Sequence, residues 1–226
     1  MTSWHERDPG ALRALEATLR RDYATMHAMV TDGVVRVRGT YPVVHEDQEI
    51  ERYSLCIKLP PDYPHSLPAV WETADKIPRI EDRHISMPMG SLCLGVPAAL
   101  WLALRGNFSI NRVLDIPVRN FLIGNCMIEA REDWPYGEWA HGAKGMLQFF
   151  GETIGTDDPH AIVKLIDGLI NGKVRGHWPC PCGSGAIVRK CHADAIQQLR
   201  GVPAEVLAQS GIPILDLIKK MAVASQ

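Results

Sequence analysis

Apolar and polar positions along the chain change period several times, and each change marks an element. Leu12, Leu15, Leu19, Tyr23, Met26 and Val30 recur at steps of three or four, with Arg13, Arg20, Arg21 and Asp22 on the other faces. This spacing predicts an amphipathic helix, opened by Asp8 as N-cap and Pro9 in its first turn and ended by Asp32-Gly33. The period then falls to two. Val35 and Val37 alternate with Arg36 and Arg38 in a short strand closed by Gly39. After a polar turn at His45 to Gln48, Tyr53, Leu55, Ile57 and Leu59 face one way and Arg52, Ser54, Cys56 and Lys58 the other. Such alternation predicts an antiparallel sheet with one buried face. Pro60-Pro61-Asp62-Tyr63-Pro64 breaks the run, and Leu67 to Glu72 reads as a third strand.

From Lys76 to Trp101 no period is visible and turn formers dominate, although His84, Gly90, Cys93, Gly95 and Pro97 lie there. A loop of this length within a folded domain is more often functional than filler. Helical patterns return at Ser109 to Ala130, interrupted at Pro117, and at Gly137 to Ile154. Asp157-Asp158 reads as a solvated turn and cap before a helix at Ala161 to Ile170. Gly172 to Gly176 reads as a linker, and helices follow at Ala193 to Leu199 and Ala204 to Ala222. No internal repeat is present. The pattern predicts an α+β domain over residues 1–155 and a helical tail over 156–226.

Composition narrows the function classes. The 226 residues are 46% hydrophobic and 22% charged, which is ordinary for a folded protein. Lys and Arg number 24 against 26 Asp and Glu, a net charge of -2, so no global positive field holds a polyanion. Nucleic acid is therefore a disfavoured partner. The first residues do not read as a secretory signal, so the mature chain is expected to begin here, and the apolar stretch around Ile110 to Ile128 is broken by charges and Pro117. A soluble, cytoplasmic protein without a membrane partner is expected. Thiols in a reducing compartment usually serve metals or catalysis, and three of the six cysteines, Cys180, Cys182 and Cys191, fall within twelve residues.

Those three stand in Cys180-Pro181-Cys182-Gly183-Ser184-Gly185, followed after five residues by Cys191-His192. Three thiolates and one imidazole form the donor set of a closed tetrahedral zinc site, so a structural Zn²⁺ is expected on Cys180, Cys182, Cys191 and His192. Gly183 and Gly185 allow a tight turn with positive φ. The segment, residues 177–192, resembles the SEC-C zinc motif appended to many bacterial proteins, with the basic run between its halves reduced to Arg189-Lys190. The resemblance implies an adaptor or a fold staple without choosing between them.

Cys93 sits in Met89-Gly90-Ser91-Leu92-Cys93-Leu94-Gly95. Taken alone, it is either a packing residue or a nucleophile. Its surroundings, Tyr63-Pro64 with Pro68 and a strand, then His84, then Gly90-Ser91-Leu92-Cys93-Leu94 and Trp101, resemble the ubiquitin-conjugating enzyme (UBC) fold over residues 9–130. More narrowly the chain is similar to conjugating-enzyme-like proteins of bacterial CBASS anti-phage operons. The resemblance implies that Cys93 accepts the C-terminal acyl group of a ubiquitin-like or partner protein as a thioester and passes it to an amine, typically a lysine. It further implies action on a cGAS-like nucleotidyltransferase in antiviral defence, and a first helix, with Arg20-Arg21 on its wet face, that docks an activating enzyme.

The family's His-Pro-Asn tripeptide is replaced here by His84-Ile85-Ser86, with His84 nine positions before Cys93 instead of ten. His84 is expected at the site, either as a catalytic group or as a ring bonded within the loop, and Ser86, His84, Asn107 or Asn111 could replace the missing amide. His141-Gly142 either borders the site or opens a capped helix. Cys56 and Cys126 read as packing residues. A non-catalytic docking protein is the alternative function. A zinc-knuckle nucleic-acid adaptor fits less well with the net charge and the few aromatics near Cys180.

Overall fold

The computed structural model describes residues 2–87, 89–136, 139–140 and 142–224, so His141 lies outside the described residues. Helix and antiparallel sheet are both present, as expected for an α+β chain. The chain divides into two compact units. One comprises Met1–Leu94 with Gly106–Gly137, and the other Gly95–Arg105 with Glu138–Gln226. Residues 143–154, expected in the first domain, thus belong to the second unit, together with the inserted segment 95–105.

In the first unit a one-turn helix α1 (Trp4–Arg7) precedes α2 (Pro9–Asp22). Asp8 caps α2 by accepting the N–H groups of Gly10 and Ala11 at 2.8 and 3.2 Å, and Leu15 and Leu19 are its buried face. The helix stops at Asp22, well before Val30. Met26–Thr31 is instead the edge strand β1, with Met26 buried and Met29 and Val30 exposed. Helical spacing misled here because the two apolar residues that extended the period, Met26 and Val30, fit a strand equally well, and pairing with β2 decides the outcome.

Strands β1, β2 (Val34–His45), β3 (Gln48–Lys58) and β4 (Ala69–Glu72) form an antiparallel meander in chain order. The register sets Val37 opposite Ile57 and Ile57 opposite Val70, three buried residues in a row across the sheet. Tyr53, Leu55, Ile57 and Leu59 are buried and Arg52 and Lys58 exposed, the expected alternation; Cys56, buried as well, departs from it. β2 runs on through Gly39, which has φ +151; a Cβ there would lie 2.0 Å from the Thr25 carbonyl oxygen, so only glycine fits. Helix α2 packs on β1.

Past the sheet, a short turn at Glu81–Arg83 and a hairpin of β5 (Ile85–Ser86) and β6 (Ser91–Leu92) occupy the stretch that showed no period. The helix expected at Ser109 to Ala130 forms as α4 (Ile110–Val113), a π-helical turn at Leu114–Val118 and α5 (Arg119–Glu129). Pro117 lies in the π turn, where its missing N–H is absorbed by the widened backbone. α5 packs on β2.

The second unit is helical: α3 (Pro97–Leu104), α6 (Ala143–Ile154), α7 (Pro159–Ile170), α8 (Ala193–Arg200) and α9 (Ala204–Ala224). Asp158 caps α7 through the His160 N–H at 2.9 Å. Phe150, Ile154, Ile162, Ile166, Ile196, Leu199 and Ile214 are nearly or wholly inaccessible and form one cluster with residues of α3 and with Val188 from the cysteine-rich loop. α6 and α3 thus complete a core together with the helices of the tail, across the domain boundary expected at residue 155. Among the described residues no single helix is long and apolar enough to cross a membrane.

Candidate functional site

Cys93 is held by backbone geometry that starts at His84. Ile85 pairs with Leu92 and Ser86 with Ser91, and the Cys93 N–H donates to the His84 carbonyl at 2.8 Å, extending the hairpin by one residue. Gly90, at φ +68, closes the turn with its N–H on the Ser86 carbonyl at 2.7 Å. The Trp71 indole N–H donates to the Met89 carbonyl at 3.0 Å, which ties the turn to β4. Leu92 is buried and Cys93 half-buried, so the thiol stands at the edge between core and solvent.

His84 has φ 54 and ψ 42, a left-handed conformation costing a non-glycine residue roughly 1 kcal/mol. Contacts on both sides fix it there. The preceding Arg83 is buried, donating from Nε to Asn125 Oδ1 at 2.9 Å, from one terminal nitrogen to Glu129 at 2.6 Å and from the other to the Asn125 carbonyl at 3.4 Å. Asn125 is fully buried and donates onward to the Phe121 carbonyl at 3.2 Å. The His84 ring is stacked 4.5 Å from Trp134 at an angle of 37°. Trp134 reaches that position because residue 124 is glycine; a Cβ there would stand 2.4 Å from the indole.

The two expected catalytic residues are thus brought together through the backbone, His84 across the hairpin from Cys93, with the imidazole committed to a packed, buried position. Both asparagines proposed as amide substitutes have a partner elsewhere. Asn107 Oδ1 accepts the Ser109 N–H at 3.0 Å, and Asn111 Nδ2 donates to Asp22 Oδ2 at 3.0 Å. Ser86 sits in the hairpin opposite Ser91. Cys126 lies 3.4 Å from the Tyr53 hydroxyl, and burial pushes its thiol above the ordinary value, which fits a packing residue. Arg83, Asn125, Gly124 and Trp134 were invisible as site residues in the sequence, because no local pattern links them to their partners.

In the second unit the four expected ligands converge. Their donor atoms all lie within 4.8 Å of one another. His192 Nδ1 is 3.3 Å from Cys180 Sγ and 3.2 Å from Cys191 Sγ, and Cys182 Sγ is 3.5 Å from Cys191 Sγ. An ion about 2.3 Å from sulfur and about 2.0–2.1 Å from nitrogen needs tetrahedral edges of about 3.5–3.8 Å; these three separations lie within a few tenths of an ångström of that, and the other pairs, within 4.8 Å, need to close by at most about 1 Å. A metal ion can be held here, and the donor set is consistent with zinc.

Local backbone builds this cluster. The Cys180 N–H pairs with the Ala186 carbonyl at 2.8 Å and the Val188 N–H with the Trp178 carbonyl at 2.9 Å, a small ribbon whose turn uses Gly183 and Gly185 at φ +75 and +77. The Ser184 hydroxyl lies 3.2 Å from the Cys182 sulfur and 3.3 Å from the Cys191 sulfur. Burial pushes the free Cys180 thiol up to about 11, whereas the hydroxyl and N–H of Ser184 hold Cys182 down at about 6. A bound cation would remove that difference by favouring the thiolate form of both. His192 turns its other nitrogen, Nε2, toward the end of α6, where a Cβ on Gly155 would be 3.3 Å away.

No family model, curated protein or solved structure matches this chain.

Proposed function

We propose that the first unit is a UBC-like acyl-transfer domain in which Cys93 carries the acyl group. The observation that carries this reading is the placement of Cys93, half-buried at the end of a hairpin whose backbone is locked by Arg83 and His84, after a helix and a four-stranded antiparallel meander in the order the family has. The Cys93 thiolate attacks the carbonyl carbon of an activated C-terminus, its leaving group departs, and a thioester forms. An acceptor amine, typically a lysine, then attacks the same carbon, forming an amide and returning the thiolate. The rigid hairpin supplies orientation. His84 acts as a positioning residue through its carbonyl, because its ring is taken by Trp134. A cGAS-like nucleotidyltransferase of a CBASS operon, or a ubiquitin-like protein, is the partner this reading names.

In the second unit we infer a structural zinc ion with Cys180, Cys182, Cys191 and His192 as its four ligands, forming a SEC-C-like module. Four ligands leave no open position for chemistry, so the ion holds the ribbon on its helical neighbours. A reducing, cytoplasmic setting suits both sites, since each needs free thiolates.

A docking role without catalysis is the second reading. It is favoured by the bond that the Asn111 amide nitrogen already makes to Asp22 and by the tie of Asn107 Oδ1 to the Ser109 N–H, which hold both side chains on other partners. The test is expression of wild type and Cys93→Ser together with the genes that flank its own, followed by non-reducing gels. A thiol-sensitive adduct on wild type that becomes thiol-resistant on Cys93→Ser is expected. Absence of any adduct on either form would leave the docking role in its place.

A further inference from the structure

The net charge of the chain hides a local asymmetry. Residues 168–193 contain Lys173, Arg175, Arg189 and Lys190 and neither Asp nor Glu, in a protein whose acids outnumber its bases. Folding gathers these positions. The Arg189 N–H donates to the Gly176 carbonyl at 2.9 Å, which lays the ribbon of the cysteine cluster beside the segment leaving α7. At the same place a cavity of about 410 Å³ opens, lined by Gly168, Leu169, Gly172, Val174, Arg175, Gly176 and Arg200. Its lining includes two arginines and no carboxylate.

The arginines differ in how they are held. Arg200 is fixed to the wall, with one terminal nitrogen on the Val174 carbonyl at 2.9 Å and the other on Gln197 Oε1 at 3.1 Å. These bonds use two of the five N–H donors of a guanidinium. Arg175 is exposed and makes no side-chain hydrogen bond or ion pair among the described residues. Arg189 approaches from the ribbon, its Cβ 3.4 Å from where a Cβ on Gly176 would stand. A side chain at position 176 would crowd this stem.

The C-terminal end of α7 presents a negative dipole, but the Gly168 and Leu169 carbonyls already accept the Lys173 and Gly172 N–H groups at 2.8 and 3.0 Å, and the one acid of that turn, Asp167, accepts from Asn171. The thiolates nearby could themselves account for some of the basic residues. Three thiolates around a divalent cation carry one net negative charge, however, and four cations plus Arg200 exceed it.

We propose that this cavity is an anion site for the phosphate group of a compact ligand, gripped by Arg200 as a fixed fork and closed by Arg175. Guanidinium is suited to phosphate because its planar donors match the oxygen spacing, and the volume suits a small phosphorylated molecule. A free polyphosphate and a nucleoside phosphate share that chemistry.

The test uses the full metal-loaded chain in titration calorimetry with inorganic pyrophosphate, with ADP, and with a single-stranded RNA oligonucleotide. Saturable 1:1 binding of pyrophosphate is expected, weakened at least tenfold by Arg175→Glu and reduced by added salt, with melting temperature and metal content unchanged. Arg200→Lys, which keeps the charge and loses the fork, should weaken it as well. Tighter binding of ADP would identify a nucleotide, and equal binding a free phosphate. Failure of both to bind, or equal binding by Arg175→Glu, would overturn the site. Binding of the RNA without competition by either small ligand would overturn the compact ligand in favour of a polynucleotide face.

Discussion

The two units position their candidate chemistry in opposite ways. In the first, Cys93 depends on partners far along the chain: Arg83 on Asn125 and Glu129, and His84 on Trp134. In the second, all four ligands lie between residues 180 and 192, on one small ribbon and the turn that leads from it into α8, and the remote contribution is a core against which Val188 packs. A site made of local pieces can be carried from one protein to another as a motif. A site made of long-range pieces exists only once its fold does.

That contrast predicts where substitutions act. The largest loss is expected for Phe150→Ala, which empties a wholly buried ring position that also touches Phe149 at 5.0 Å between centroids. Deleting a buried phenyl costs about 3–5 kcal/mol. Chemical denaturation followed by helical circular dichroism should show it. A loss under about 1 kcal/mol would mean that the helical core does not support the ribbon and that the comparison is misplaced.

Asn125→Ala comes next. It leaves the Arg83 Nε donor buried without its acceptor and removes the bond to the Phe121 carbonyl, a cost of about 1–3 kcal/mol. Its sharper signature is chemical. With the Arg83 anchor loosened, Cys93 should be alkylated by iodoacetamide several-fold faster, measured by mass spectrometry below the melting transition. An unchanged rate would show that the hairpin needs no long-range anchor.

The same contrast explains what could be read before folding. The sheet face was legible because Tyr53, Leu55, Ile57 and Leu59 obey a period of two. The Cys/His cluster was legible because its donors are close in sequence and few roles need three cysteines and a histidine at that spacing. Met26–Thr31 misled because its apolar residues extended a helical period by two members, and only pairing with β2 overrides that. The hairpin at residues 85–92 has two-residue strands, too short to establish any period. Neither the burial of Arg83 nor the cradle that Gly124 makes for Trp134 leaves a local trace. The boundary between the units was missed for a related reason: α3 and α6 belong to a core most of whose other members lie after residue 158.

Metal removal probes the local site alone. Treatment with a strong chelator, or Cys191→Ser, should release the ion and unseat Val188, at a cost of about 2 kcal/mol if that side chain becomes exposed. Most helical dichroism should persist, because the cluster around Phe150 and Ile166 contains no ligand. Collapse of the helical signal on chelation would show instead that the ion nucleates the whole second unit.

The smallest effect near neutrality separates the units by pH. All five tyrosines, at positions 23, 41, 53, 63 and 136, lie in the first unit. Burial pushes Tyr41 and Tyr63 up to about 12 from an ordinary value of 10, and Tyr23 and Tyr53 are raised as well. In the unfolded chain each phenol ionises near 10, whereas in the fold Tyr41 and Tyr63 stay neutral until about 12, so the unfolded state binds fewer protons in between. The stability they contribute is fully present below pH 10 and is lost as pH rises toward 12. Phenolate absorbance should accordingly rise late and together with loss of sheet dichroism, while the second unit, which has no tyrosine, draws no such contribution. Phenolate absorbance of Tyr41 and Tyr63, isolated by Tyr→Phe replacement of each, that rises near pH 10 with the sheet intact would show that the fold does not hold them neutral.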